Sequence, residues 1–532
     1  MKNRIYIFAI AALALCLGAC DKFLDTMPDN RAEVDTEDKV AALLVSAYTN
    51  HNYTMVTELL ADNMDNNREI VTGEADRFYQ NIWNWKDNTE SNNESDENIW
   101  EDNWAAIAAA NQALVAIEEL GGPEASRKLA GSYGEALIAR AYAHFILVNI
   151  FCLQYNEETS STDLGLPYMD QPEQGLNPSY ERSNVAEVYK RIDEDIQEGL
   201  KYVGDDYLVP KFHFNRQAAL AFATRFYLFY GKYDLAIKYA TECLGSAPET
   251  LLRDYADLQA NYSKIADARI AYNSSESPSN LLIQTGYSNM GLMWGNYSGS
   301  WKHFGFTTQI ANSESFMAPT PWHPEGLLTA ANFVWEPKNY SISKLNYWIF
   351  WKIDYEFEYT DPVAGIGYRH TVYPSFTTDQ CLLDRAEAYI LSGNYQSALS
   401  DLNLWANNMY TDKIDLTVDM IHNFYKDMAY YTWKNPTQKK HLNPKAPIPT
   451  ITEGSELESM IHYLLNCRRT ETMGLGQRWF DVKRYGIKIY RRHLNSDAEF
   501  SKVTDSLEVN DLRRALQIPQ KSRDAGFEGN PR

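Results

Sequence analysis

Cations, cysteines and long apolar runs are scarce in this sequence. Its 49 lysines and arginines stand against 71 aspartates and glutamates, a formal net charge of −22. Nucleic-acid binders depend on lysine and arginine facing phosphates, so this balance disfavours them. After residue 20 no apolar run approaches the ~18 residues that span a bilayer, which excludes a polytopic membrane protein. The 45% of hydrophobic residues nevertheless suffice for a large folded core.

Motifs of catalysis are also missing. The sequence contains no H-E-x-x-H, no G-x-S-x-G and no Walker loop. Carboxylates are so numerous that no chosen pair identifies a glycosidase. These absences favour a binding protein, with a surface-anchored hydrolase as an alternative.

Metal and cofactor motifs are equally scarce. No Cys/His spacing typical of zinc occurs. The acidic run Asp62–Glu69 lacks the EF-hand pattern, so calcium is possible but unsupported, and a solvated loop is the other interpretation. We therefore expect no metal and no cofactor.

The six cysteines do not form a disulfide framework. Two of them lie in the first twenty residues of the chain. The other four are far apart, inside apolar stretches with a helical pattern, and are Cys152, Cys243, Cys381 and Cys467. Buried free thiols are the expected state of these four, with a disulfide among them as the alternative.

The N-terminus resembles an export signal that ends in a lipidation site. A short basic stretch precedes the apolar run Ile5–Leu17, which is followed by Gly-Ala and then Cys20. Small residues fit a peptidase cleft, and the cysteine thiol is the nucleophile that takes acyl chains. We expect residues 1–19 to be removed, Cys20 to be lipidated and residues 20–36 to form a tether. An ordinary signal peptide with a stray cysteine is the alternative.

Apolar residues recur at helical spacing in several stretches. The spacing predicts helices over residues 100–117, 137–148 and 185–200. Ser183 is the expected N-cap of the third helix. His144 lies in the apolar stripe of the second helix, where we expect a satisfied core histidine rather than a ligand.

Two segments of the chain look alike. Tyr227–Ala236 and Tyr389–Ala398 carry Gly, Tyr and Ala at identical offsets. Glycine allows the positive φ that ends a helix, and the small alanine lets the next helix approach closely. The pattern resembles the tetratricopeptide repeat, a helix–turn–helix unit that buries its apolar face by stacking.

The predicted fold is mostly α, with tetratricopeptide-like helical hairpins in a single domain over residues 37–532. The helix pairs are expected within about 100–250 and 380–490. Between them, residues from about 274 to 376 are rich in Gly, Ser, Asn, Trp and Tyr. This insertion is expected to be loop-rich, with short strands.

Several motifs in order resemble a known family, the SusD/RagB-type outer-membrane lipoproteins of the Bacteroidetes. The match extends over essentially the whole mature chain. The segments that carry it are Phe23-Leu24-Asp25 with Pro28, Trp104–Ile107 with Asn111, Leu137–Phe145, Arg385–Tyr389 with Gly393–Tyr395, Gly476–Gly486, and Ile518-Pro519. The stretch before Gly476 departs from the family's Glu-rich pattern and keeps only Glu471. From the residues alone, the charged groups of the motif from Arg478 to Gly486 are expected to form a scaffold network.

The resemblance implies four tetratricopeptide-like helix pairs against a loop-rich ligand-binding half. Such proteins lie on the cell surface as a lid on a SusC-like TonB-dependent transporter, and they capture glycans without turnover. A peptide-binding, RagB-type member and a pure scaffold are the alternatives. The membrane would be contacted through the lipid anchor only. Asp21 favours inner-membrane retention in some bacteria, so surface exposure is implied by the resemblance alone.

Candidate ligand contacts follow from the chemistry of sugars. A sugar ring binds flat aromatic side chains beside amide, carboxylate and guanidinium groups. Two clusters have this composition, and the resemblance adds weight to Tyr297 and Trp322. The residues predicted to bind ligand are Asn67, Arg68, Trp83, Trp85, Asn296, Tyr297, Trp301 and Trp322. Core packing is the alternative for each aromatic residue.

The lipidation site generates a prediction. Cys20→Ala removes the thiol that would carry the acyl chains, so the variant is expected to leave the membrane fraction. Cys16→Ala is the matched control, because it changes a cysteine inside the segment that is removed. Cell fractionation with detergent phase partitioning measures the difference. Membrane attachment of the Cys20→Ala protein would reject the predicted site.

Overall fold

A computed structural model describes residues 34–71, 77–173, 180–294, 303–353 and 356–532. The predicted signal segment, Cys20 and all but the last three residues of the predicted tether lie outside the described residues. They remain predictions.

Helices dominate the described residues, as expected. The first ten are α1 Glu37–Leu44, α2 Thr54–Leu60, α3 Arg77–Trp83, α4 Asp96–Glu119, α5 Arg127–Phe151, α6 Val185–Tyr202, α7 Arg216–Tyr230, α8 Tyr233–Leu244, α9 Tyr255–Asn261 and α10 Ile265–Tyr272. The next eight are α11 Met290–Met293, α12 Thr308–Glu314, α13 Thr378–Leu391, α14 Tyr395–Met409, α15 Val418–Lys426, α16 Glu456–Glu471, α17 Arg478–Arg484 and α18 Gln520–Asp524. The expected mostly α fold is confirmed.

Polar N-caps begin the long helices. The side chains of Ser95, Ser126 and Asn215 each accept a hydrogen bond from a backbone N–H in the first turn of α4, α5 and α7. The predicted cap of α6 was one residue early. Asn184 caps that helix by accepting from the Glu187 N–H, whereas the Ser183 hydroxyl donates to the Leu166 carbonyl.

The two similar segments form the predicted helical hairpins. Helices α7 and α8 meet at Gly231, whose φ is +77°, and α13 and α14 meet at Gly393, whose φ is +75°. Ala236 and Ala398 are fully buried where the second helix packs on the first. Helix α8 also packs against α13, so the two hairpins stack although long segments separate them in sequence.

Helix α5 lies at the centre of the helical half, packed between α4 and α6. It is the one described helix long and apolar enough to cross a membrane, but its apolar window is 94% buried inside the fold. His144 on this helix is fully buried and stacks on Tyr168, with ring centroids 3.9 Å apart. Burial lowers the pKa of His144 to about 3. The prediction of a core histidine is confirmed.

Short strands occupy much of the loop-rich half. They are β1 Asp65–Asn66, β2 Asn280–Tyr287, β3 Phe304–Gly305, β4 Lys338–Ile342, β5 Leu345–Ile349, β6 Glu356–Asp361, β7 Ile366–Thr377, β8 Ile489–Leu494 and β9 Phe500–Leu507. One sheet has the order β3-β1-β8-β9, a second β2-β7-β6, and β4 pairs with β5. The expected short strands are present, and β7 is longer than the others.

The four cysteines of the described chain are free and buried. Burial raises the pKa of the Cys152 thiol to about 11, and it also raises the pKa of the Cys467 thiol. Both thiols therefore stay protonated at neutral pH, as expected of inert core residues.

The charged residues of the Arg478–Gly486 motif form a buried network, as predicted. Arg484 and Arg468 both bind Glu387, at 2.7 Å and 2.5 Å, and Arg468 also binds Asp481 at 2.8 Å. Burial by itself raises the pKa of Glu387, but the two guanidinium groups hold it at about 2. Lys483 donates to the Asn149 and Cys152 carbonyls. The motif thus ties α17 to α5, α13 and α16.

The two hairpin glycines provide a matched test of the packing. A Cβ at position 231 would overlap the ring of Pro447, whereas one at position 393 meets no atom within 4 Å. Both variants carry the strain of a positive φ, so Gly231→Ala is expected to lower the free energy of unfolding by about 1 to 3 kcal/mol more than Gly393→Ala. Urea unfolding followed by circular dichroism measures both. Equal losses would contradict the close approach at Pro447.

Candidate functional site

Two of the predicted ligand residues directly follow β1, an inner strand of the four-stranded sheet. The Asn67 amide donates to the Tyr347 hydroxyl at 3.1 Å, and its backbone N–H donates to the His303 carbonyl at 2.8 Å. Arg68 is exposed and donates to the Gln80 side chain at 3.3 Å. Asn67 is therefore a buried support, and Arg68 faces solvent.

The tryptophans of the first cluster require a correction. Trp83 is 0% exposed and packs its ring against Phe304 and His493, with centroids 5.2 Å and 5.4 Å away. Trp85 is 5% exposed, donates to the Leu60 carbonyl at 3.0 Å and lies 3.6 Å from the Arg491 guanidinium. Neither ring offers a free face to a ligand. Both pack beneath the sheet, the alternative that the sequence left open.

Trp322 lies apart from this cluster. It is half-buried and packs against Tyr410, with ring centroids 4.7 Å apart at an angle of 53°. Its buried indole N–H has no hydrogen-bond partner among the described residues. Among the described residues, no hydrogen bond or ring contact joins Trp322 to the first cluster.

The rest of the second cluster is outside the described residues. Asn296, Tyr297 and Trp301 all lie in the segment 295–302, and their ligand contacts remain a prediction. The described residues on either side are well anchored. Trp294 donates to the Gly474 carbonyl at 3.0 Å, and the His303 ring lies 2.9 Å from the Val71 carbonyl.

Buried ion pairs surround the acidic run at Asp62 and Asp65. Asp62 binds Arg478 at 2.8 Å and Lys440 at 2.6 Å. Although burial raises the pKa of Asp62, these cations hold it well below its usual range. Asp65 is likewise bound to Arg492 at 2.9 Å, in a buried pair. These two carboxylates of the acidic run are committed to protein cations.

Metal binding finds no support in the described part of the chain. Among those residues, no group of three or more His, Cys, Asp or Glu is placed to hold a metal ion. The site chemistry is therefore that of hydrogen-bonding and charged side chains.

We define the polar surface as Arg68, Glu69, Gln80, His493 and Lys502. Lys502 lies 3.9 Å from Glu69, and the His493 ring lies 2.9 Å from the Thr504 hydroxyl. Burial lowers the pKa of His493 below its usual value, so the ring is neutral at neutral pH. These groups can donate to and accept from the hydroxyls of a sugar.

Three residues of this surface were missed by the sequence analysis. Gln80 comes from α3, His493 from β8 and Lys502 from β9. None of the three lies beside another residue of the polar surface in the sequence, so no local signal marked it. The β1–β8 pairing at Asn66 and His493 brings them together.

The fold and this surface define a helical-repeat protein with a loop-rich half that carries exposed polar side chains. Residues 22–228 match a family model, SusD-like_3, that is described as starch-binding and associating with the outer membrane. No curated protein is significantly similar to the chain in sequence. Solved structures supply the comparison for the remaining residues.

Solved structures share the fold over nearly the whole chain. A SusD superfamily protein from Bacteroides thetaiotaomicron superposes with a TM-score of 0.62 and 19% identity, covering 93% of this chain and 100% of the other. A putative sugar binding protein from Bacteroides vulgatus superposes with a TM-score of 0.61 and 17% identity, covering 94% of this chain and 99% of the other. A laminarin binding SusD-like protein superposes with a TM-score of 0.52 and 17% identity, covering 93% of this chain and 99% of the other. Residues 22–228 are thus similar to the SusD-like family, and the solved structures show the same fold over nearly the whole chain.

Placement of the predicted residues can be tested by stability. Trp83→Ala leaves a cavity in the core and is expected to lower the free energy of unfolding by about 3 to 5 kcal/mol. Arg68→Ala removes an exposed side chain and is expected to change it by less than about 0.5 kcal/mol. Urea unfolding monitored by tryptophan fluorescence and circular dichroism measures both. A small loss of unfolding free energy for Trp83→Ala would contradict the burial of that ring.

Proposed function

We propose that the protein is a lipid-anchored outer-membrane lipoprotein of the cell surface that captures glycans and delivers them to a SusC-like TonB-dependent transporter. It binds and releases its ligand without breaking bonds. The helical hairpins act as a rigid scaffold and as the surface for the transporter. The loop-rich half carries the ligand.

One observation carries this proposal. The stretch 22–228 that matches the starch-binding, outer-membrane family includes Arg68, Glu69 and Gln80 of the polar surface. Their donors and acceptors suit a hydroxyl-rich ligand, and the buried ion pairs beneath them keep the surface in one arrangement. The predicted aromatic contacts, Tyr297 and Trp301, would add ring stacking to these hydrogen bonds.

The structural relatives support the same ligand class. One has the name of a putative sugar binding protein and another is a laminarin binding SusD-like protein. Both are below 20% identical to this chain, so the particular glycan is a separate question. The lipidation signal at Cys20 supports the anchored location that the proposal requires.

Ligand retention tests the proposal. We expect Arg68→Ala, and separately the double variant Tyr297→Ala with Trp301→Ala, to weaken retention of a neutral polysaccharide by about tenfold or more. Arg127→Ala is the control, because Arg127 is an exposed arginine paired with Asp206 in the helical half. Native gel electrophoresis in gels containing starch, laminarin, xylan or mannan measures retention.

The same samples separate the alternatives. Shortened oligosaccharides would instead identify a hydrolase, and retention of peptides with no glycan bound would identify a RagB-type peptide carrier. Copurification with a transporter, without binding of any glycan or peptide, would indicate a pure scaffold protein. Melting temperatures within a few degrees of the wild type are required of every variant, since unfolding would place the changed residue in the core.

A further inference from the structure

A large cavity lies on the helical half, away from the polar surface. Its volume is about 740 Å³, and it is enclosed by α4, the segment 167–173 with Tyr180, and the turn that follows α18. The side chains that matter for its chemistry are Trp100, Trp104, Met169, Gln171, Tyr180 and Phe527. Cavities of about 300 to 1,000 Å³ are the usual size of small-ligand sites. The cavity shares no residue with the polar surface.

An aromatic wall lines one side of the cavity. The Trp100 ring meets both Trp104 and Phe527 edge-on, with centroids 5.5 Å away in each case. Trp104 is half-buried, so part of its ring faces the cavity. Behind it, His144 packs edge-on at 5.7 Å. Because His144 is fully buried, the orientation of the Trp104 ring is set before any ligand arrives.

Buried polar groups hold the opposite wall. The Asn111 amide donates to the Met169 carbonyl at 3.0 Å and to the Gln171 carbonyl at 3.2 Å. Arg140 in turn donates to the Asn111 side chain at 2.8 Å and is paired with Asp195 at 2.7 Å. This wall therefore has a fixed backbone, with the Met169 and Gln171 side chains at the cavity.

The C-terminal wall is fastened in a similar way. The Asn530 amide donates to the Phe151 carbonyl at 2.8 Å and to the Leu516 carbonyl at 2.7 Å. On α18, Lys521 lies 2.5 Å from Glu101 of α4. Phe527 follows this helix and is half-buried. The cavity is thus preorganised on three sides, which lowers the ordering cost of binding.

The polar groups at the mouth point to the class of ligand. The Tyr180 hydroxyl donates to Glu173 at 2.6 Å, and Gln171 is exposed beside them. No lysine, arginine or histidine is among the described residues that line the cavity. Aromatic faces with amide, hydroxyl and carboxylate groups suit a sugar ring, whereas an anionic ligand would meet Glu173 without a compensating cation.

We infer that this cavity is a second saccharide-binding site, which takes part of a neutral oligosaccharide against Trp104 and Phe527. The inference rests on the proposed function for its ligand class, and it adds a separate site on the helical half. A chain of sugars held at two places would be retained more strongly than at either alone, because the second contact is intramolecular.

A blocking variant tests the cavity without removing any contact. Ala108 is exposed on α4 and lines the cavity, so the indole of Ala108→Trp would obstruct it. Ala105 is exposed on the same helix and does not line the cavity, so Ala105→Trp is the matched control. Both changes add the same side chain at an exposed helical position. Circular dichroism melting checks that both proteins fold.

The probes are maltoheptaose and laminariheptaose, two neutral glucans, with the mature full-length protein. Titration calorimetry counts the bound oligosaccharides, and hydroxyl-radical footprinting reports the protection of Met169. We expect the wild type and Ala105→Trp to bind a probe with Met169 protected. We expect Ala108→Trp to bind one oligosaccharide fewer and to leave Met169 unprotected. Phe527→Ala is expected to lower the affinity of the cavity for the oligosaccharide by about threefold to tenfold.

Each outcome decides the inference. Unprotected Met169 in the wild type, or full binding and protection in Ala108→Trp, would overturn it. If the probes bind but only Arg68→Ala weakens them, the cavity fails while the proposed function stands. If neither probe binds, the cavity inference fails, and the polysaccharide screen above decides the proposed function. Protection of Met169 by hexagalacturonate would overturn the neutral ligand class.

Discussion

Buried ion pairs that join the loop-rich half to the helical half are the constraint on which this structure depends. Asp62 is held by Arg478 and Lys440, and Lys440 also binds Glu314 at 2.8 Å. Each of these charges is buried, so none could leave its partner without a large desolvation penalty. The segments that carry them are far apart in sequence and are therefore locked in one relative position.

The helical hairpins have a different part in the same design. The two hairpins stack on each other, and α7 also contacts α5. Polar side chains of α4 and α5, Asn111 and Arg140, hold the neighbouring loop segment. A scaffold of this kind moves little when it binds, so its binding surfaces are preformed. Preformed surfaces of this kind are compatible with the ligand-binding role that we propose.

Much of the fold followed from local sequence, and less of the site did. The glycine and alanine offsets predicted both hairpins, and the apolar stripes predicted α4, α5 and α6. Arg68, which was predicted to bind ligand, is exposed, whereas Trp83 and Trp85 are buried. Gln80, His493 and Lys502 could not be predicted, because a polar residue beside no other functional residue in sequence has no local signal.

Helical periodicity and turn glycines could be read from the sequence, because each is a property of neighbouring residues. The sequence by itself therefore determined the class of fold, and it predicted an export signal and a glycan ligand. Only the tertiary structure decided which tryptophan rings face solvent and which segments meet. The physical reason is that burial depends on partners hundreds of residues away, such as Asp62 with Arg478 or Trp100 with Phe527.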